Sequence, residues 1–243
     1  MLEALGLGVR GRLNNVTAQL RSGRVTAICG PNGAGKSTLL GALAGLIAPA
    51  SGTVTLASQP LTDLTPQERA RRIGYLPQSA EVAWNLSVRT LAALGRLPHR
   101  TPAAQDADIV DEVLETLDLS VLADRPLSTL SGGERARALL ARVLATQPQW
   151  ILADEPLAAL DLAHQRGLIR HFRKLAQDGR GVVLVVHDLA LAMNHADHVV
   201  VLDRGGIAAQ GAPQAALSEE LIARVWNLDA RWLGDPGHRA LAL

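Results

Sequence analysis

The sequence has a single cysteine, Cys29, and therefore no intramolecular disulfide framework; one thiol fits a reducing compartment. It also lacks a surplus of charge. With 24 Lys and Arg against 23 Asp and Glu, the net charge of +1 gives no electrostatic reason to expect nucleic acid or anionic lipid as the main partner. The opening stretch MLEALGLGVRGRLNN has no basic segment followed by an apolar one, so no secretory signal is expected. Long apolar runs are missing too. Residues 37–62 carry no charge, but only 39–48 are continuously apolar before Pro49, Ser51, Gly52 and Thr53 intervene. That is short of the roughly 20 residues a membrane span needs, and a chain soluble by itself is expected.

What the sequence does have is apolar content: 48% of 243 residues, ample for a sizeable core in one or two domains. Short runs rich in β-branched residues occur at 25–29 (VTAIC), 151–153 within WILAD, 182–186 (VVLVV) and 199–202 (VVVL). None alternates polar with apolar, as expected of strands buried on both faces of a parallel sheet. Helical patterns fall between them at 36–47, 107–117, 132–145, 162–177 and 189–195, and the alternation predicts α/β layering. Residues 78–147 carry helical signals and no convincing strand. They read as a helical subdomain inserted into an α/β core of 1–77 and 148–243, within one domain spanning 1–243. The basic cluster RARR at 69–72 reads as a solvated helix face.

The stretch GPNGAGKST, comprising Gly30, Pro31, Asn32, Gly33, Ala34, Gly35, Lys36, Ser37 and Thr38, follows one predicted strand and opens a helix. The glycines let backbone N–H groups turn inward, and the helix adds its positive end, so polyphosphate is favoured there. Lys36 suits the β- and γ-phosphates, and the Ser37 hydroxyl suits Mg²⁺. A nucleoside triphosphate is the implied ligand. WILADEP is an apolar strand that ends in two acids. Asp154 is placed to serve a metal. Glu155, aimed elsewhere because neighbouring residues on a strand alternate, is placed to orient and deprotonate water. VVLVVHDLA repeats the pattern with His187, either a γ-phosphate partner or a structural histidine; Asp188 favours the helix that follows.

TLSGGERARALL, residues 129–140, is a good helix former weakened at its start by Gly132 and Gly133, each costing about 1 kcal/mol relative to Ala. A capping box of Ser131 and Glu134 accounts for those two residues and not for the glycines. Bare N–H donors approaching an anion account for the glycines.

Taken in order, the phosphate loop, LSGGE, WILADE and His187 resemble the ATP-binding subunit of ABC transporters over essentially the whole chain. That resemblance implies a P-loop NTPase fold of the ABC type, ATP and Mg²⁺ as ligands, and ATP hydrolysis. It also implies a head-to-tail homodimer in which Ser131, Gly132 and Gly133 of one subunit cap the γ-phosphate held by the other. Residue by residue, Lys36 and Ser37 match the phosphate loop, and Gln78 in YLPQ matches a glutamine that senses Mg²⁺ and signals to the permease. Asp154 matches the metal-site acid, Glu155 the general base, His187 the switch histidine, and Asp161 in LAALD a residue touching the opposite site. Ala158 stands where the family often has Ser. The aromatic residue that stacks on adenine in the family is missing near residues 10–13, where Arg12 or Arg10 offers a guanidinium plane instead.

Too few residues separate Lys36 from Ser131 for the coiled coils of the DNA-repair and chromosome relatives, and one cassette is present where translation-factor relatives have two. A free-standing cassette resembles bacterial importers more than exporters. An ATPase of iron–sulfur cluster assembly and an importer ATPase for another solute remain alternatives. LTDLTPQERARRIGYLPQ followed by LAALGRLPHR, and the later HADHVVVLDRGGIAAQGAP, resemble the iron-siderophore, haem and cobalamin group. LGRLPH also reads as plain helix termination, with Gly95 just past the helix. The implied partners are integral-membrane permease subunits and, indirectly, a substrate-binding protein, with the chain peripheral on the cytoplasmic face of the inner membrane. Trp84, Leu86 and Val88 read either as a groove for a permease helix or as subdomain core.

Overall fold

The computed structural model describes residues 1–78, 85–158 and 160–243. The chain opens with β1 (Leu2–Val9), β2 (Leu13–Leu20) and β3 (Val25–Cys29), then α1 (Lys36–Leu43), β4 (Ser51–Leu56), β5 (Gln59–Pro60), α2 (Pro66–Arg72) and β6 (Ile73–Leu76). Three helices follow: α3 (Val88–Ala93), α4 (Ala103–Thr116) and α5 (Gly132–Ala145). Next come β7 (Trp150–Asp154), α6 (Leu162–Gln177), β8 (Gly181–Val185), α7 (Leu189–His195), β9 (His198–Asp203) and β10 (Gly206–Gly211). Helices α8 (Pro213–Ala216) and α9 (Glu219–Trp226) and a small hairpin of β11 (Arg231–Leu233) with β12 (Ala240–Ala242) end it.

The strands build two main sheets. One is antiparallel, in the order β2-β1-β4-β5; the other has six strands in the order β10-β9-β3-β8-β7-β6. In the second, all pairs from β9 across to β6 are parallel, and only the edge strand β10 is antiparallel. Every residue of β3, β7 and β8 is buried, which is why these strands read as continuous apolar runs. Helix α1 sits between the sheets, with Leu39, Leu40 and Leu43 packed in one core with Ile28, Val185 and Leu202. A second core lies on the other face, where α5 and α6 contribute Leu140, Leu144, Leu168 and Phe172 against Ala153 and Leu184. The registers Ile28↔Val185 and Asp154↔Val185 bring the carboxyl ends of β3, β7 and β8 to one level. Loops leaving that edge therefore converge, as ligand sites in open α/β sheets do.

The predicted strands and the helices at 132–145, 162–177 and 189–195 are present within a residue at either end. Several expectations need correction. The first helix stops at Leu43 rather than at residue 47, because Gly45 turns left-handed (φ 70°) and the Gly41 carbonyl takes the N–H groups of both Leu46 and Ile47. Helix α4 starts at Ala103, four residues before the predicted 107. The antiparallel sheet, β6 and β10 were not anticipated. The described part of 78–147 holds α3, α4 and α5, with one isolated bridge between Ser87 and Pro126.

The cluster at 69–72 is not simply a solvated face. Arg71 Nε donates to the Pro98 carbonyl at 2.7 Å and Nη2 to that of His99 at 3.1 Å, tying α2 to the segment after α3. Gly95 does not terminate a helix in the left-handed region. It sits in a 3-10 turn, where a Cβ would lie 2.1 Å from the Arg142 carbonyl, so glycine lets this turn touch α5. Beside it, Arg96 is 4% exposed and binds Asp106 and the Ala145 carbonyl, each at 2.7 Å. Val88 is fully buried and Leu86 half-buried against the core, which removes Val88 from any docking groove. Trp84 lies outside the described residues.

Candidate functional site

The loop between β3 and α1 has the shape its glycines predict. Gly30, Gly33 and Gly35 adopt φ of 150°, 80° and 99°. At Gly35 a Cβ would lie 2.8 Å from the Arg12 carbonyl and 2.7 Å from Leu13 Cδ2, and at Gly30 it would lie 2.2 Å from the Leu202 carbonyl. The turn between β1 and β2 is thereby pressed against the loop, which brings Arg12 to its edge with an exposed side chain; Arg10 is exposed as well. Pro31, Asn32 and Gly33 line the outer part of the loop, Ala34 is buried beneath it, and Ser37 and Thr38 open α1. Lys36 is 6% exposed, and its ammonium donates to the carbonyls of Gly30 at 2.9 Å and Pro31 at 3.0 Å. Burial pushes its pKa down, and the nearby carboxylates of Glu155 and Asp154 oppose that shift. The loop is thus folded around a cation that is already half-stripped of water. Cys29, just before the loop, is fully buried and its thiol is pushed up to about 12, so it stays protonated packing.

Asp154 and Glu155 diverge as expected, though through the turn after the strand rather than strand alternation, because β7 ends at Asp154. Asp154 is 3% exposed; burial foremost raises its pKa, and a hydrogen bond from the Ser37 hydroxyl opposes the rise. Its Oδ1 is buried without a hydrogen-bond partner among the described residues. An orphaned carboxylate oxygen beside a hydroxyl is a hard-oxygen pair, and Mg²⁺ is commonly held by one or two carboxylates together with substrate phosphates and waters. The residues present fit that ion. Glu155 leaves the strand with a left-handed backbone (φ 48°), a conformation costly for a non-glycine residue. Its N–H is held by the Val185 carbonyl at 3.2 Å. Both carboxylate oxygens are engaged: Oε2 accepts from Gln78 Nε2 at 2.7 Å, and Oε1 lies 2.5 Å from His187 Nε2. A carboxylate can only accept, so Nε2 carries the proton. Glu155, Gln78 and His187, from three separate elements, therefore form one cluster. Gln78, expected near the metal, spends its amide on Glu155 here.

The helix start at 131–134 is a complete capping box. Ser131 Oγ accepts from the Glu134 N–H at 3.3 Å, and Glu134 Oε2 accepts from the Ser131 N–H at 2.8 Å. The two glycines differ. Gly132 is exposed, whereas Gly133 is buried under the ring of His164, and a Cβ there would lie 2.3 Å from His164 Cδ2. Gly133 thus has a reason within its own chain, and the argument from bare donors rests on Gly132. His164 in turn is bound to Asp161. The Asp161 carboxylate caps α6 by accepting from the His164 N–H at 2.9 Å, and its other oxygen meets His164 Nδ1 at 2.8 Å. These bonds, the backbone one foremost, hold the Asp161 carboxyl below the usual range. The sequence reading missed His164. Its signal was its place three residues after Asp161, where an N-cap aspartate finds its partner.

The likeness to known proteins agrees with this geometry. The family profile described as ABC transporter matches residues 13–158. The hemin import ATP-binding protein HmuV of Nocardia farcinica is 46% identical over 97% of this chain and 85% of its own length. HmuV of Myxococcus xanthus is 43% identical over 97% and 94%. Among solved structures, a metal-chelate type ABC transporter in an inward-facing conformation superposes with a TM-score of 0.85 at 27% identity, covering 99% of this chain and 95% of that one. A dimeric ATP-binding cassette in a post-hydrolysis state with ADP and phosphate gives a TM-score of 0.78 at 27% identity, over 88% and 99%.

Proposed function

The chain belongs to the ABC transporter family, and from that premise we propose that it is the ATP-hydrolysing subunit of a bacterial importer whose solute is haem. The solute follows from the relatives' description as hemin import proteins. The carrying observation for the chemistry is Glu155 held between Gln78 and His187 at the mouth of the phosphate loop.

In this reading Lys36 exchanges the Gly30 and Pro31 carbonyls for phosphate oxygens, which suits an ammonium that burial has already deprived of water. Ser37 and Asp154 would hold Mg²⁺, which would supply neutralisation of charge on the phosphates. Gln78 would be available to the same ion if its amide left Glu155. Glu155 accepts the proton of the attacking water, and His187 keeps the carboxylate oriented. As the site stands, each Glu155 oxygen already accepts one hydrogen bond and keeps a second lone pair for water.

Ser131 and Gly132 are the residues we assign to the γ-phosphate of a second copy, with Asp161 facing the opposite site. Arg12 is assigned to adenine by stacking. The partners are a second copy of this subunit, permease subunits and, through them, a substrate-binding protein, with the subunit peripheral to the cytoplasmic face of the membrane. No described helix is long and apolar enough to cross a membrane. Reconstitution of the subunit with its permease in proteoliposomes tests the solute. Haem loaded on the binding protein should stimulate ATPase activity and accumulate inside; stimulation by cobalamin or a ferric siderophore and not by haem would reassign it.

A further inference from the structure

Away from the phosphate loop, a cleft of about 590 Å³ opens between α5 and α6, closed at one end by Asp118 after α4. Arg137 of α5 faces it from one side, and His164, Arg170, His171 and Lys174 of α6 from the other. The four α6 residues recur at helical spacing and so share one face. Gly167, in the same row, has open space where a side chain would stand, which leaves the floor bare. Three permanent cations thus meet one carboxylate. Among the described residues, the side chains of Arg170, His171 and Lys174 have no hydrogen bond or ion pair, and Arg137 Nε is buried with no partner. Like charges one turn apart repel, as Arg170 and Lys174 do. A cation near a helix end is favoured by the dipole, which accounts for Lys174 but not for Arg170 or for the orphaned Arg137 donor.

We propose that this cleft binds a phosphate-class anion of more than one negative charge, separate from the nucleotide at the phosphate loop, and that its occupancy braces α5 against α6. Charge favours such an anion, because the cations outnumber the carboxylate. Open space is there for it, and Arg137, Arg170 and Lys174 line that space with donors suited to a charge-assisted bond. The consequence follows from what the two helices carry. Helix α5 begins at Gly132 beside Ser131, α6 begins at the Asp161 cap, and the helices meet where His164 covers Gly133. An anion bridging Arg137 to Arg170 and Lys174 ties these two helix starts together from behind. His171 supplies a reporter. Burial foremost pushes its pKa down; Arg137, Arg170 and Lys174 add to that, and Asp118 opposes it.

The test titrates pyrophosphate into full-length protein already saturated with ADP, followed by calorimetry and by the NMR signal of His171. Wild type should take up one equivalent, with the His171 pKa rising as the anion offsets the cations. Arg170→Gln with Lys174→Gln should weaken that binding roughly tenfold or more while leaving ADP affinity unchanged, which shows the fold and the nucleotide site intact. Free phosphate and a lipid headgroup share this chemistry. Retention on phosphatidylglycerol vesicles, lost in the same double variant, would assign the lipid source; pyrophosphate uptake without retention assigns the free anion. No uptake by ADP-loaded wild type, or equal uptake by the variant, would overturn the proposal and leave an ordinary solvated helix face.

Discussion

Gln78 and Glu155, 77 positions apart, are joined by a 2.7 Å hydrogen bond from amide to carboxylate, and His187 holds the other oxygen of the same carboxylate at 2.5 Å. The group assigned to deprotonate water is therefore latched from both sides in this state. The Gln78 bond joins this carboxylate to the stretch of chain that leads into α3 to α5.

In the proposed mechanism the His187 contact orients Glu155 and takes no part in binding ADP. His187→Ala should leave ADP affinity within about twofold and lower kcat by roughly 10²-fold, the usual scale for loss of a group serving general base catalysis. Steady-state ATPase assays with calorimetric ADP binding check this. Unchanged kcat would make His187 a structural residue only.

Asp154 carries a buried oxygen with no partner, and burial raises its pKa. A carboxylate whose folded pKa is raised above its unfolded value destabilises the fold fully above the folded pKa. The penalty fades as pH falls toward the unfolded value near 3.8. Asp154→Asn should therefore raise the melting temperature of the ligand-free protein at neutral pH. Relief on the order of 1 kcal/mol corresponds to about 2–4 °C at this size. The gain should shrink at acid pH, and Mg²⁺-dependent hydrolysis should disappear. A variant less stable at pH 7 would contradict this reading.

Gly133 and His164 form a pair that a double-mutant cycle isolates. Gly133→Ala places a methyl group 2.3 Å from the His164 ring and should destabilise the protein by about 1–3 kcal/mol, the range for overpacking. In a His164→Ala background the same substitution should cost nearly nothing, since the ring is gone. Equal costs in both backgrounds would show that the ring does not dictate glycine there.

Much of the site was legible because its determinants are local. Gly30, Gly33 and Gly35 at fixed spacing specify the phosphate loop, and a strand ending in acids marks Asp154 and Glu155 as two carboxylates with different surroundings. What escaped depends on distant pairing. β1 carries register shifts between Ala4 and Leu7 and between Leu7 and Val9, which break the alternation that would have marked an antiparallel strand. Gly52 reads as a turn residue, yet it is also required because a Cβ there would lie 2.3 Å from the Gly6 carbonyl across the sheet. Arg71, within the 69–72 cluster, reads as surface charge and Arg96 carries no local signal, and only the packing of the segment at 94–99 on α2 and α5 makes them structural clips. The latch on Glu155 was equally hidden, since no local pattern announces that Gln78 and His187 converge.

The exposed capping box bears on assembly. Ser131→Arg or Gly132→Asp puts bulk or negative charge where a second copy's γ-phosphate is assigned. ATP binding to the monomer should persist within about threefold, while ATP-driven dimers vanish in analytical ultracentrifugation. Dimerisation with ATP at wild-type strength in either variant would reduce this helix start to a cap.

The most direct measurement is made on Glu155→Gln, which keeps the size of the side chain and its contact with His187 while removing the base. With Mg²⁺ and ATP, the variant should bind nucleotide as wild type does, turn over at least about 10²-fold more slowly, and sediment as a dimer holding two intact ATP molecules. Near wild-type turnover, or a chain that stays monomeric with ATP bound, would contradict the account.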